Sequence, residues 1–270
     1  MKIELENWYK PTVDKKQLKE LSRRKNLPAL IHFSIYFGSL FISGYLAYLT
    51  WGTWLSFVFF FIYGTIYTFS VSNWHETVHK TAFKTRWINE FFYHVTSFMA
   101  DFEGFRWRWS HTFHHSNTLQ TKDNYDHEIQ ISRPTDLIAF FLNFIPFSDL
   151  LFPHRLIKFE VLKHSVGFFS PVIEISAPLK EKKKILWNSR FYVFIWLGII
   201  FFSIYFETIL PILYLLLPNY YGKPIWFLVN VTQHLGAALD KKDHRECTHS
   251  LNINPIFSFL YWHMEYHLEH

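Results

Sequence analysis

The chain carries two long apolar blocks, at 27–50 and 54–72, joined only by Trp51-Gly52-Thr53. Each is close to the ~20 residues an α-helix needs to cross the hydrocarbon core of a bilayer. In that medium every backbone N–H and C=O must find its partner inside the protein, which leaves helices or closed barrels. The two blocks read as a helical hairpin. The turn between them has no Lys or Arg, whereas both outer flanks do, so both outer ends are expected on the cytoplasmic side. Residues 1–26 read as a polar cytoplasmic segment with an amphipathic stretch around Leu18 and Leu21. They are not a signal peptide, because the apolar block behind them is too long and lacks a small-residue cleavage site.

Two more apolar blocks lie at 191–206 and 208–231. The second is interrupted by Pro211, Pro218 and Gly222, and its middle, P-N-Y-Y-G-K-P, also reads as a loop. The stretch 137–152 is broken by Asn143, Pro146 and Asp149 and fits an interfacial helix better than a span. Net charge is +5, concentrated before residue 28 and in K-E-K-K-K at 180–184. Basic residues beside spans report membrane orientation and attract anionic head groups, so charge alone makes no case for nucleic acid. The single cysteine, Cys247, excludes a disulfide framework, a cysteine zinc site and a cysteinyl iron–sulfur cluster. The expected fold is an all-α, polytopic membrane protein with about four transmembrane helices, its membrane domain covering 27–270.

Against this background the sixteen histidines stand out. His75-Glu76-Thr77-Val78-His79 places two imidazoles at i and i+4, on one helical face, where they can share a metal. By itself H-E-x-x-H is also a zinc-protease signature, with the glutamate as general base. His111-Thr112-Phe113-His114-His115 repeats the pattern at i, i+3 and i+4, and its adjacent pair can fan out to two metals. His267-Leu268-Glu269-His270 is a third box, and His234 sits alone in Q-H-L-G at the end of the fourth apolar block. All these positions lie near a membrane boundary. If they cooperate on one face, an even number of crossings must separate 75–115 from 234–270, which 191–206 and 208–231 supply.

One zinc needs three or four ligands, so eight imidazoles suggest a second metal. Imidazole suits iron, copper, zinc or nickel alike. A membrane site points to a lipid-soluble substrate, and an unactivated C–H bond needs an O2-activating metal. An all-histidine dinuclear iron centre uses every box. A ligating imidazole usually gives its other N–H to a carboxylate or carbonyl. Candidates are Glu76, Asp101, Glu103, Asp123, Asp126, Glu265 and Glu269, with Glu76 and Glu269 favoured by their place inside boxes. His32 lies within the first span and suits a core or pore role. His94, His127, His154, His164 and His244 lack paired spacing and are expected at the surface. His249 is ambiguous, and His263 is expected to share the helical face of His267 without ligating. Phe105, Trp107, Trp109 and Phe113 line a substrate tunnel, or else serve as interfacial anchors or core.

The motifs H-E-T-V-H (75–79), W-S-H-T-F-H-H-S (109–116), Q-H-L-G (233–236), D-H-R-E-C-T (243–248) and N-P-I-F-S-F-L-Y-W-H-M-E-Y-H-L-E-H (254–270) resemble the membrane fatty acid desaturase superfamily. That superfamily comprises the histidine-box diiron enzymes, alkane and carotenoid hydroxylases included. The resemblance runs from about residue 28 to the end. It implies four spans, a cytoplasmic helical cap holding two non-haem irons, O2 as co-substrate and an acyl or lipid substrate. Carried over, the ligands are His75, His79, His111, His114, His115, His234, His267 and His270. The family's third box is H-x-x-H-H, and the sequence stops after its second histidine. The chain is therefore expected to be cut inside its third box, to hold its second iron poorly and to have little activity. It has no H-P-G-G haem segment, no G-x-G-x-x-G and no cysteine cluster, so electrons must come from a ferredoxin or cytochrome b5-like donor with its reductase. The expected location is a multi-pass membrane protein, with bacterial inner membrane favoured and both termini and the metal site cytoplasmic. Desaturation and hydroxylation stay open. The competing classes are an intramembrane zinc metalloprotease, which leaves the second and third boxes unexplained, and a metal transporter, which would want polar groups inside the spans.

Overall fold

The computed structural model describes residues 8–122, 125–126, 128, 137–153 and 156–268. Among these residues the regular structure is helical, with one antiparallel bridge between Ser250 and Tyr266. The helices in chain order are α1 (Lys15–Leu21), α2 (Leu27–Leu49), α3 (Leu55–Thr68), α4 (Ser70–Val78), α5 (Arg86–Met99), α6 (Gly104–Ser116), α7 (Leu137–Leu142), α8 (Ile157–Ser165), α9 (Pro171–Ser176), α10 (Lys182–Tyr205), α11 (Leu210–Leu215), α12 (Pro218–Tyr221), α13 (Lys223–Val231), α14 (His244–Cys247) and α15 (Pro255–Leu260).

Among the described residues three helices are long and apolar enough to cross a membrane: Leu27–Leu49, Leu55–Val78 and Leu179–Tyr205. In α2 the buried residues Phe33, Tyr36, Leu40, Ser43 and Ala47 recur every three or four positions and pack on α3. In α10, Ile185, Ser189, Tyr192, Trp196, Ile199 and Ser203 do the same against α8 and α11. The opposite faces are just as apolar. Phe41, Ile42 and Tyr45 on α2, and Phe194, Leu197 and Phe201 on α10, are all exposed. A helix apolar all round needs lipid or protein on its outer side.

The fourth apolar block is not one helix. It breaks into α11, α12 and α13, each opened by a proline in its first turn. Proline cannot donate to the preceding turn, so the segment is interrupted where Pro211, Pro218 and Pro224 fall. The interruption lets α12 and α13 lie against α3 at very short range. A Cβ added to Gly222 would sit 1.9 Å from the carbonyl carbon of Gly64, and one added to Gly64 would sit 2.1 Å from the Tyr221 ring. Small residues allow this backbone-on-backbone approach between membrane helices. The region 137–152 gives only the short α7, turns, and a 3-10 turn at Ser148–Leu151 in place of one interfacial helix. Its polar breaks have a use, because Asn143 and Asp149 both accept from the Lys223 ammonium.

Contacts outside the apolar helices join segments far apart in sequence. The N-terminal segment is tied to the 240s: Tyr9 N–H donates to Lys242 C=O at 2.8 Å, Trp8 stacks on His244 at 4.3 Å, and the Arg245 guanidinium covers Tyr9.

Candidate metal centre

The first box rides on the extension of the second apolar helix. After Phe69 the chain continues as α4, which carries His75 on its last turn and ends at His79. Lys80 follows in the left-handed region at φ 61°, which stops the helix and turns the chain toward α5. The second box occupies the last two turns of α6. That helix starts firmly, because the buried Glu103 carboxylate accepts from Phe105 N–H at 3.2 Å and Arg106 N–H at 2.7 Å. Asn188 of α10 donates to the same carboxylate, fixing α6 against the third apolar helix.

These placements bring seven of the eight sequence-predicted histidines into two groups. His75, His79, His111 and His115 form one, and His114, His234 and His267 the other. Within each, the candidate ligand atoms lie within 4.8 Å of one another. The adjacent pair of the second box fans as its spacing suggested, His115 to one group and His114 to the other. Inside the first group, His111 Nε2 is 3.1 Å from His79 Nε2 and 3.0 Å from His115 Nε2. Inside the second, His234 and His267 approach Nε2 to Nε2 at 3.2 Å. Two nitrogens bound ~2.1 Å from one metal at about a right angle are separated by roughly 3 Å, so these spacings match edges of a coordination polyhedron. The groups are neighbours: the His75 and His267 rings are 6.3 Å apart, and those of His111 and His114 5.8 Å.

The groups behind the rings favour the same use. His114 Nδ1 lies 2.8 Å from Asp126, His111 Nδ1 lies 3.4 Å from Glu128, and His234 Nδ1 donates to the Cys247 carbonyl at 2.8 Å. An acceptor at Nδ1 holds the N–H there and points Nε2 at the centre, the arrangement a metal requires. Burial opposes a charged ring at His114, but the Asp126 carboxylate outweighs it and pushes the pKa up to about 9. At His234, burial and then the neighbouring His114 both oppose a proton and bring the pKa down to about 4. The acids themselves are anchored. Asp126 also accepts from Leu119 N–H at 3.0 Å, and Glu128 accepts from Ser110 Oγ at 3.0 Å. All-imidazole donors with acceptors behind them fit first-row metal ions, iron included.

Several sequence expectations need correction or completion. Asp126 was one candidate among seven, and Glu128 was not among them. Of the other candidates, Glu76 lies 3.7 Å from His75 Nδ1, Asp101 pairs with Lys158, Glu103 caps α6 and Glu265 accepts from Ser258. Asp123, Glu269 and the predicted ligand His270 lie outside the described residues, as do His127 and His154. His263 does not share a helical face with His267. α15 ends at Leu260, and Trp262 and His263 are both left-handed, at φ 58° and 59°. His263 is therefore turned outward while His267 is buried. His249 is exposed and bonds Leu235 C=O. His164, expected at the surface, is buried beside Ser170 and Glu160. His94 is half-buried against Phe105, and His244 lies under Trp8. His32 sits among Phe33, Phe259 and Trp262, a core position.

Both histidine groups open on a cavity of about 710 Å³, to which His75, His111, His114, His234 and His267 contribute. Trp74, Phe102, Trp107 and Phe227 form apolar wall, and the Arg106, Asp101 and Lys223 side chains bring polar groups to it. Of the four aromatics near the second box, Trp107 lines the cavity. Phe105 and Trp109 pack on Ile173, Ala177 and Ile185, and Phe113 is buried. Comparison with curated proteins and with solved structures gives no match. The fatty acid desaturase family model, however, matches residues 50–270, which include every histidine of both groups. The chain thus belongs to the fatty acid desaturase family, a family of membrane oxidoreductases that use oxygen.

Proposed function

We propose that the chain is a diiron enzyme that oxidises a C–H bond of a lipid acyl chain, introducing a double bond. The observation that carries this reading is the pair of adjacent all-histidine groups opening on one partly apolar cavity. Bound iron would supply the O2 activation that an unactivated C–H bond demands. The chain's own part is positional. His75, His79, His111 and His115 would hold one ion. His114, His234 and His267 would hold the other, with His270 as a further ligand. Asp126, Glu128 and the Cys247 carbonyl keep three of those rings in the tautomer that presents Nε2. The aromatic walls exclude bulk water and set which carbon lies nearest the metals. Electrons would come from a separate ferredoxin or cytochrome b5-like protein, and the Lys180–Lys184 run on the cap is a suitable face for an acidic donor.

A zinc protease needs a single ion and an accessible general base. The two groups speak against it, since His111 and His115 complete the neighbourhood of the H-E-T-V-H pair. Lipid profiling of a host expressing the gene, beside a His114→Ala control, tests the proposal. New unsaturated acyl chains in the first and none in the second are expected. Identical lipid profiles would count against it, and an alcohol product would move the assignment to hydroxylation.

A further inference from the structure

The third apolar helix begins in a charge run whose members are not equivalent. Of K-E-K-K-K at 180–184, Lys182 is paired with Glu174 and Lys184 with Glu181. Lys180 and Lys183 are exposed and form no ion pair among the described residues. Pro178 opens a 3-10 turn over Leu179–Glu181 that sets Lys180 beside the first turn of α10. There Lys180, Lys183 and Lys184 line one open groove with Phe105, Trp187 and Phe191. Among the described residues no carboxylate lines it. The acids nearby are engaged: Glu174 and Glu181 by lysines, and Glu103 by Asn188 and the first turn of α6. One further cation, Arg190, is held outside the groove by Ser165 C=O and the Trp187 ring. None of the groove's residues lines the cavity on which the histidine groups open.

Helical spacing ties the groove to a longer feature. Lys183, Trp187, Phe191, Phe194, Phe201 and Tyr205 follow one another at steps of three, four or seven, which places them on one face of α10. All six are exposed. The stripe is about 33 Å long at 1.5 Å per residue, and its only charge stands at its head. A ligand that matches it has an anion at one end and a hydrocarbon chain behind. A soluble anion or an acidic protein would meet the lysines and leave the aromatic residues uncovered. A zwitterionic lipid would bring a cation of its own to two unpaired ammonium groups and gain less. We propose that the groove binds one anionic phospholipid, its phosphate between Lys180 and Lys183 and an acyl chain along Trp187, Phe191 and Phe194. Trp187, one turn beyond Lys183, then stands at the level where indole rings gather between head groups and hydrocarbon.

The test is lipid binding to the full chain, purified in detergent and stripped of lipid. Dioleoyl phosphatidylglycerol and dioleoyl phosphatidylcholine are titrated in turn, and bound lipid is counted by native mass spectrometry. The glycerol lipid should bind about thirtyfold more tightly, as two unpaired lysines at an anionic head group would give. Lys180→Gln with Lys183→Gln should bring the two lipids within about twofold of each other. Two controls should keep the preference above about tenfold. Lys182→Gln with Glu174→Gln removes an existing ion pair and no net charge, and Lys15→Gln with Lys16→Gln removes two charges from α1. Trp187→Ala should weaken both lipids and leave their ratio within about twofold of the parent's, because the ring meets the chain and not the head group. Equal affinities in the parent chain would overturn the proposal, as would a loss of preference in the α1 variant equal to that in the groove variant. Displacement of bound phosphatidylglycerol by an equal concentration of inorganic phosphate would give the lysines to a soluble anion. Displacement by hexaglutamate would give them to an acidic protein. Either result would overturn the lipid site.

Discussion

At the scale of single residues, the two groups are separable because their supporting acids are different. Asp126 is hydrogen-bonded to His114 of the three-histidine group, and Glu128 faces His111 of the four-histidine group. Replacing the carboxylate behind a ligating imidazole typically weakens metal affinity about 10–100-fold. Asp126→Asn should therefore weaken the His114, His234 and His267 group by about that factor and leave the other within about twofold. Glu128→Gln should do the opposite. A cobalt(II) or iron(II) titration followed spectroscopically, with two resolved steps in the parent chain, reads both. If either variant weakens both steps equally, the acids act through the fold and not through their own rings. The histidines were legible in the sequence because i, i+3 and i+4 spacing is a local property of a helix. Their assignment to two groups was partly legible, since neighbouring His114 and His115 must diverge. Asp126 was legible only as one acid among several. Glu128 was missed, because a loop decides which of two nearby acids reaches a ring 12 or 17 positions earlier. The acidic run D-N-Y-D-H-E directly after the second box was the available signal.

At the scale of elements, the decisive contact is the crossing of α3 by α12 and α13 at Gly64 and Gly222. Gly222 has ordinary helical dihedrals, φ −93° and ψ −10°, so its need is for space and not for backbone freedom. The atoms that a Cβ would meet are backbone of Gly64 and Thr65, which cannot rotate away. Gly222→Ala should therefore destabilise the chain at the upper end of overpacking effects, about 3 kcal/mol, seen as a lower midpoint of thermal unfolding in detergent. It should also push α13 outward and carry His234 with it, so that metal binding at the three-histidine group falls before that at the other. Gly38→Ala and Gly198→Ala are the controls. Both glycines lie inside long helices, and an added Cβ there meets nothing within 4 Å. Those variants should be neutral or more stable by up to about 1 kcal/mol, from helix propensity alone. Equal losses at Gly38 and Gly222 would show that the crossing is not tight. The sequence announced this segment by its prolines and Gly222, and left open whether its middle was helix or loop. What it lacked was the partner. Nothing local to 218–224 says that Gly64, some 150 positions away, will lie beneath it. The left-handed pair Trp262 and His263 was equally hidden, since a bulky Trp is an outlier at positive φ and one His, though tolerated there, does not mark the position.

At the scale of the whole molecule, the histidine groups constrain how the chain is threaded. The His114 and His234 rings are 5.3 Å apart, so if α10 crosses a bilayer the chain between them must return to the face it left. α10 is long enough to leave, at about 36 Å for its 24 residues. The return would then fall to α11, α12 and α13, however broken. The same logic applies at the start, where α2 and the helix through α3 and α4, if both cross, would form a hairpin that begins and ends on the histidine side. The N-terminal segment, tied through Trp8 and Tyr9 to the 240s, belongs to that side too. The prediction is a two-sided labelling pattern. Cys247 is the chain's single cysteine and is fully buried, so Cys247→Ser provides a clean background. Cysteines are then placed singly at exposed sites: Ser22→Cys, Lys183→Cys and Arg245→Cys on the expected cytoplasmic face, Thr53→Cys and Glu207→Cys on the other. A membrane-impermeant maleimide should modify Thr53→Cys and Glu207→Cys in intact cells, and the other three only in inverted vesicles. The basic residues before α2 and in 180–184 set the direction. The pairing of sites is set by the proximity of the histidines. If Lys183→Cys and Glu207→Cys react from the same side, α10 does not cross, and the apolar faces of α2 and α10 need another cover. If all five react as expected, the interrupted segment 210–231 is a true return crossing, and Lys223 with Asp149 and Asn143 lies within it as a buried, fully paired charge rather than at its edge.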